Sequence, residues 1–552
     1  MFKKFIQKNW LILVFFLVYL IVGLALYSSV LNSFFVSDDF DWLTRAKETP
    51  HTFSAYFLKN SNGGVDGGVF RPLTQLSYLL DFSIFGTNPV IFHLVNFIFF
   101  IGTALNIYWL VLLISQKKWL AFLSGLFFII LPNHPEAVTW ISGRGDVLSA
   151  FFYILALAMY VKFRQGKKVW LLAVAVLSFF FSILSKEMGM SLPGVIVLYE
   201  LLFISGWKKD SWLGVIKRGL YLLPFVFVLG LYLFLRWNTT HILAGFYASP
   251  ELKPNLAHLL RTLLLVIDSN FLESYTRFKA ASLLMRPYIF LPLVLAGLSF
   301  IYLILKKYKQ EKIAILGLGV LIIGALPVLP LSFMMNTSEG ERFAYLPSIG
   351  MAIILGWVCY KIINFQRTRY LQFLPPVILI IFLSFVLVQK NWHWQEAGYI
   401  SKSLVFDFGQ KVDLQKKQGI VILAMPDNVY GAQTLRNGWF SALRLYYPNY
   451  IPDLLVAYPR MHMTDTGRAV WLAKENGFAA KGTDKIFQGP SEMISLDYTM
   501  KITGYDKKIS SGDFLEMNFS QQFLNQMKEK TIIFLAPFYD NFKVLELKKP
   551  KK

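Results

Sequence analysis

A polytopic α-helical membrane protein, with a soluble mixed α/β domain at its carboxyl end, is the architecture this sequence predicts. Three observations carry that reading. First, 55% of the 552 residues are hydrophobic and only 16% are charged, against about 25% charged in water-soluble domains. Second, the depletion comes from long uncharged runs such as Trp10–Val30, Phe92–Ser115, Val147–Val161 and Leu371–Val388; about 20 apolar residues cross a bilayer core as a helix. Third, hydropathy falls after Val388, and the remaining chain is long enough for a core of its own.

The apolar runs mark eleven spans, at about 10–30, 91–114, 119–132, 146–162, 169–184, 188–205, 216–236, 287–305, 313–331, 344–363 and 371–388. The first is kept as a helix: its run is longer than a signal-peptide core, and no small-residue cleavage site follows. Basic residues fall in every second loop: Lys3, Lys4 and Lys8; Lys117 and Lys118; Lys162, Arg164, Lys167 and Lys168; Lys208, Lys209, Lys217 and Arg218; Lys306, Lys307, Lys309 and Lys312; Lys361, Arg367 and Arg369. Short Lys/Arg-rich loops stay cytoplasmic. The amino terminus is therefore expected inside and the carboxyl terminus outside. The net charge of +22 reads as this topology signal, not as a nucleic-acid footprint. The lysine tail Lys548–Lys552 falls on the other side, where it can meet anionic lipid headgroups.

Leu256–Asp268 is apolar but contains Arg261, and it reads as a membrane-surface or re-entrant helix. Cys359 is the only cysteine and lies inside a span, which excludes an intramolecular disulfide and a cysteine-based metal site. Two outer loops are long, 31–90 and 237–286, and the first holds Gly63, Gly64, Gly67 and Gly68. No internal repeat is visible. The chain divides at 1–389 and 390–552. In the second part Gly419–Ala424 and Thr531–Ala536 read as buried strands, and Phe440–Leu445 and Gln521–Met527 as helices. Asp427–Trp439 (DNVYGAQTLRNGW) is rich in groups that hydrogen-bond or stack on sugars. This extracytoplasmic domain is expected to recognise an acceptor or cover a site mouth; the alternative is a stabilising cap.

Ionisable residues near membrane depth are costly and default to functional hypotheses. Asp38 and Asp39 follow the first span. Arg71 opens FRPL. The segment 131–146 carries His134, Glu136, Arg144 and Asp146. Lys186 and Glu187 sit in the turn after the fifth span, and Glu341 and Arg342 precede the tenth. Charge alternation puts all of these on one membrane side. Each has a bland counterpart. The aspartates could be a solvated helix cap. His134 could pair with Glu136, Arg144 with Asp146 and Lys186 with Glu187, as interhelical locks.

Five stretches carry a family resemblance: SDDF at 37–40, FRPLTQLSYLLDFSIFGTNPVIFHLVN at 70–96, HPEAVTWISGRGDVLSA at 134–150, SKEMGMSLPGVIVLYELL at 185–202 and ERFAYLPSIG at 341–350. In this order they resemble the GT-C superfamily of lipid-dependent glycosyltransferases. They are most similar to the membrane part of the transmembrane-and-TPR O-mannosyltransferases and their bacterial relatives. The resemblance covers about residues 10–390, and no TPR helix pairs follow. It implies a GT-C-like membrane domain in a bacterial cell membrane. It also implies a sugar donor on a polyprenyl phosphate, of the dolichyl-phosphate-mannose kind, and an acid of the first outer loop, Asp38 or Asp39, as catalytic base.

The chemistry suits these residue types. A carboxylate takes the proton of an acceptor hydroxyl as it attacks the anomeric carbon, and direct displacement inverts that centre. The departing lipid phosphate needs positive charge, for which Arg71, Arg144, Lys186 and Arg342 are candidates. His134, Glu136, Asp146, Glu187 and Glu341 are further site candidates. A divalent metal on Asp38 and Asp39 fits the preference of hard cations for carboxylates, although no cofactor is required. The acceptor is a protein hydroxyl, a glycolipid or an envelope polymer. The other functional class consistent with intramembrane charges is a transporter or lipid flippase.

Overall fold

The computed structural model describes residues 2–49, 69–204, 219–241, 256–271, 311–330, 340–365 and 370–415, and beyond 418 the strands, turns and helix given below. The chain forms two compact units. The first comprises Met1–Leu31 with Thr49–Asn391, the second Asn32–Glu48 with Trp392–Lys552. The segment that carries Asp38 and Asp39 groups with the second unit, not with the spans it follows.

Helices follow the apolar runs in chain order. They are α1 (Phe2–Tyr27), α2 (Asp39–Glu48), α3 (Pro72–Phe85), α4 (Pro89–Ser115), α5 (Lys118–Ile130), the single turn α6 (Pro135–Val138), α7 (Arg144–Gly166), α8 (Val169–Ser185), α9 (Leu192–Tyr199), α10 (Leu223–Thr240), α11 (Leu256–Asp268), α12 (Lys312–Ala325), α13 (Ser348–Ile363) and α14 (Leu374–Lys411). Among the described residues six stretches are long and apolar enough to cross a membrane: Trp10–Tyr27, Pro89–Ser115, Ile141–Gly166, Glu187–Ile204, Leu223–Thr240 and Leu371–Lys411. Four shorter apolar helices accompany them, α5, α8, Lys312–Val328 and α13. The span expected at 287–305 lies outside the described residues, as do the glycines of the first loop. Leu256–Asp268 is a helix of 13 residues, short of the ~20 a crossing needs.

Punctuation explains the tight hairpins. Pro72 and Pro89 open α3 and α4, where a missing N–H costs nothing. Gln116 and Lys167 end α4 and α7 in the left-handed conformation, so the chain turns straight into α5 and α8. Within the first unit α7 packs on α8 and α4, and α5 on α13. The α5–α13 contact needs glycine: a Cβ on Gly356 would lie 2.5 Å from the Ser124 hydroxyl.

In the second unit a five-stranded sheet has the order β13-β12-β1-β4-β9. Its strands are β1 (Gly419–Ile422), β4 (Asp453–Ala457), β9 (Met493–Ser495), β12 (Ile532–Pro537) and β13 (Phe542–Leu545). β1 runs parallel to both β12 and β4. Every residue of β1 is buried, as an unbroken apolar run between parallel neighbours should be. Parallel neighbours require a crossover, and the β1–β4 connection contains α15 (Trp439–Tyr446). A second sheet joins β2 (Met425–Val429), β3 (Ala432–Gln433), β5 (Arg460–Met463) and β8 (Lys485–Gln488). A third joins β6 (Val470–Lys474), β7 (Gly477–Lys481), β10 (Tyr505–Lys508) and β11 (Phe514–Phe519), all antiparallel. The expected strands 419–424 and 531–536 and the helix 440–445 correspond to β1, β12 and α15. The helix expected at Gln521–Met527 lies outside the described residues.

Candidate active site

Asp38 stands at the entrance of α2, in the turn Val36–Asp39 of the second unit. Asp39 is buried, at 1% exposure. Its carboxylate accepts the Val36 amide at 3.0 Å, while its own amide donates to the Val36 carbonyl at 3.0 Å. This reciprocal pair is a helix-start lock. Asp38 is partly exposed, and the Ser37 hydroxyl lies 3.3 Å from its Oδ1. The adjacent carboxylates therefore differ: Asp39 fastens the turn and Asp38 is presented by it. Ser37 is fully buried with φ of 47°. That left-handed conformation costs a non-glycine residue roughly 1–2 kcal/mol.

The Asp427–Trp439 stretch is not an open sugar platform. Trp439 is 2% exposed, its ring against Phe408 and Phe542 at centroid distances of 5.3 and 5.7 Å. Arg436 donates to both oxygens of the buried Asp427, at 2.7 and 2.8 Å. Both residues are consumed in holding the β2–β3 hairpin. Tyr430 stacks on His393, with ring centroids 4.5 Å apart.

The other candidate residues form a layer of ion pairs in the first unit. Arg71 binds Glu187 through two hydrogen bonds, at 3.0 and 2.6 Å. Lys186 meets Asp146 at 2.5 Å. Arg342 meets Glu136 at 2.6 Å. Arg144 is fully buried and meets Asp81 at 2.5 Å. It also donates to Asn96 Oδ1 at 2.9 Å and the Phe92 carbonyl at 3.0 Å, and its guanidinium lies over the Tyr78 ring at 4.5 Å. Glu341 receives Lys390 on both oxygens at 2.9 Å.

The ion-pair contacts are not the neighbour pairings suggested by sequence, Arg144 with Asp146 and Lys186 with Glu187. Residues one or two apart at a helix start point to different sides, so each acid reaches a cation on another element. Asp81, which follows Arg71 in the same outer stretch, also joins the layer, as do Asn96 and Lys390, which sequence reasoning missed. A lone aspartate in an apolar segment (Asp81) and a lysine at the end of one (Lys390) were the available signals.

Glu136 also accepts the amides of Gly340 and Arg342, at 3.1 and 2.8 Å. Burial raises its carboxyl pKa, and the Arg342 guanidinium and these amides pull it back. His134 does not pair with Glu136. Its Nε2 lies 2.9 Å from the Ser348 hydroxyl, which itself donates to the Tyr345 carbonyl at 2.6 Å. Nε2 therefore carries the proton. Burial, helped by Lys390, holds the imidazole well below its usual pKa, so the ring is neutral.

Among the described residues no three His, Cys, Asp or Glu side chains converge, and one oxygen of Asp39 is taken by a backbone amide.

No family model matches the chain. Protein O-mannosyl-transferase TMTC2 of Mus musculus is 30% identical over 213 residues, covering 36% of this chain and 25% of that protein. Protein O-mannosyl-transferase TMTC3 of Mus musculus is 24% identical over 379 residues, covering 59% and 39%. Protein O-mannosyl-transferase TMTC4 of Homo sapiens is 26% identical over 411 residues, covering 62% and 54%. The chain thus spans from a quarter to about half the length of these relatives. The similarity to O-mannosyltransferases read from the five sequence stretches is therefore found by direct comparison. Among solved structures, an oligosaccharyltransferase of Archaeoglobus fulgidus tethered with an acceptor peptide gives a TM-score of 0.45 at 12% identity, covering 80% of this chain and 64% of that one. ArnT from Cupriavidus metallidurans bound to undecaprenyl phosphate gives 0.45 at 11% identity, covering 83% and 94%.

Proposed function

We propose that this chain is an integral-membrane glycosyltransferase that moves a sugar from a polyprenyl-phosphate donor to a hydroxyl, with a protein serine or threonine as acceptor. The sequence similarity to protein O-mannosyl-transferases carries the reading. Asp38 takes the proton of the acceptor hydroxyl. The oxygen bonds to the anomeric carbon while the bond from that carbon to the phosphate oxygen breaks, and the lipid phosphate leaves with the electron pair. The centre inverts, and Asp38 returns its proton to water. Asp38 is preferred over Asp39 because Asp39 is committed to the Val36 amide. For the donor phosphate, Arg71 and Arg342 come first, their side chains being 10% and 16% exposed. Arg144 and Lys186, at 0% and 2%, lie deeper in their ion pairs.

The deciding experiment offers radiolabelled polyprenyl-phosphate sugars, one at a time, to the protein reconstituted in membranes with a hydroxyl-bearing peptide. Transfer from at least one donor, absent in Asp38→Asn, is expected. Movement of the lipid across the bilayer without transfer would support the transporter reading instead. The accompanying topology has eleven spans, with the amino terminus in the cytoplasm and residues 390–552 outside. A reporter active only in the cytoplasm, fused after Lys552, should be silent; a signal there overturns the span count.

A further inference from the structure

We propose that Gln433, Thr434 and Gly438 of the second unit are positioning residues for Asp38, holding its turn in a conformation that the turn would not keep alone. The inference rests on the reading of Asp38 as the base. It assigns a part of the reaction to the β2–β3 hairpin and the turn after it, which carry no catalytic motif of their own.

The starting point is Ser37. It precedes Asp38, is fully buried, and has φ of 47°. Nothing in its side chain favours that conformation, since it has neither glycine's freedom nor the local side-chain bonding of Asn or Asp. The surroundings must impose it. Three contacts do so, all from one short stretch. The Ser37 amide donates to the Thr434 carbonyl at 2.5 Å. The Ser37 hydroxyl donates to Gln433 Oε1 at 2.9 Å. The Ser37 carbonyl lies so near Gly438 that a Cβ there would stand 1.9 Å from its oxygen. Only glycine fits at 438.

The clamp is itself braced. Thr434 donates its amide to the Asp427 carbonyl at 2.9 Å and its hydroxyl to the Pro426 carbonyl at 2.7 Å. Asp427 in turn is gripped by Arg436. Beyond the turn, the Ser441 hydroxyl donates to Asp41 and the Thr44 hydroxyl to the Ser441 carbonyl, so α2 is tied to α15 as well. A rigid chain of bonds therefore runs from the β2–β3 hairpin through Ser37 to the residue that presents its carboxylate. A general base must be held within hydrogen-bond reach of its proton, and a misplacement of about 1 Å can cost on the order of a hundredfold in rate. That is the work a strained and externally clamped turn can do. The Ser37 hydroxyl oxygen also lies 3.3 Å from Asp38 Oδ1 and 2.9 Å from Gln433 Oε1, which links the two side chains.

The test uses the full chain with Gln433→Leu, Gln433→Glu and Gly438→Ala, and undecaprenyl-phosphate mannose as the donor probe. Gln433→Leu should lower kcat at least tenfold, with the donor KM within twofold and the thermal midpoint unchanged. Gln433→Glu restores the acceptor and should recover most of kcat. It also places a second carboxylate near Asp38, so the acid limb of the pH–rate profile should move to higher pH. A residue that merely packs would not move that limb. Hydrogen exchange supplies a readout that needs no substrate: in Gly438→Ala the amides of 36–42 should exchange at least tenfold faster than in the parent. Unchanged kcat, unchanged pH profile and unchanged exchange overturn the clamp. If Asp38→Asn retains parental turnover, the base assignment falls and the clamp with it. If Asp38→Asn is dead while the clamp variants are normal, only the clamp falls.

Discussion

The two acid-bearing regions of this molecule are described by different contacts. In the first unit each carboxylate of the layer meets a cation: Glu187 with Arg71, Asp81 with Arg144, Asp146 with Lys186, Glu136 with Arg342 and Glu341 with Lys390. In the second unit the carboxylates of Asp38 and Asp39 are set against a serine hydroxyl and a backbone amide. A carboxylate gripped by a guanidinium has its lone pairs occupied and makes a poor proton acceptor. At the Asp38 turn the contacts that set the geometry are a serine hydroxyl and backbone amides. Charge in the first region ties helix to helix; in the second, backbone geometry presents charge.

The largest effect that can break this contrast is at the turn. Asp38→Asn should cost about 10²–10⁴-fold in turnover, the usual worth of a general base, with unchanged melting in detergent. Asp39→Asn keeps a carbonyl oxygen for the Val36 amide and should lose less. Equal and slight losses in both variants would show that neither carboxylate acts as a base, and the contrast would reduce to two kinds of structural contact.

The next effect belongs to the paired layer. Arg144→Ala should strand Asp81 in a buried site and destabilise the protein by about 3–5 kcal/mol. Replacing both partners, Arg144→Met with Asp81→Leu, should recover most of that loss, because the penalty lies in the orphaned charge. Thermal midpoints of the single and double variants decide it. A double variant as unstable as the single would mean that Arg144 acts mainly through Asn96, the Phe92 carbonyl and Tyr78.

The contrast also marks what the sequence could reveal. Residue types and order were legible. The apolar runs among the described residues became helices, β1 and β12 were visible as buried strands, and the acids and bases of the layer stood out against apolar surroundings. Partner choice was not legible. It depends on which helix faces which, so Lys186 met Asp146 instead of its neighbour Glu187. The chain offers no local sign that Ser37 is left-handed, because the contacts that hold it lie about 400 residues away in sequence. Trp439 misled for a related reason: a tryptophan followed by a short helix reads equally as a sugar platform or as a core residue, and only the Phe408 and Phe542 rings decide between them.

The smallest effect is the most discriminating, because it asks whether any cation of the layer serves more than its carboxylate. Arg342 is the candidate. Its guanidinium lies 4.9 Å from the centroid of the Trp140 ring and 5.0 Å from that of Phe343, with Nη1 on Glu136. Stacking of this kind fixes the plane of a guanidinium while leaving its edges to hydrogen-bond. Lysine keeps the charge but loses both the plane and the fork. Arg342→Lys should therefore raise the donor KM by about three- to tenfold, up to the ~1.4 kcal/mol that a tenfold change represents, with kcat and melting close to the parent. Arg144→Lys should instead lower the melting point and leave KM alone, since a buried guanidinium with acceptors on several sides has no lysine equivalent. If both variants shift melting and neither shifts KM, Arg342 belongs with Arg144 as a lock between helices, and the donor phosphate is held elsewhere.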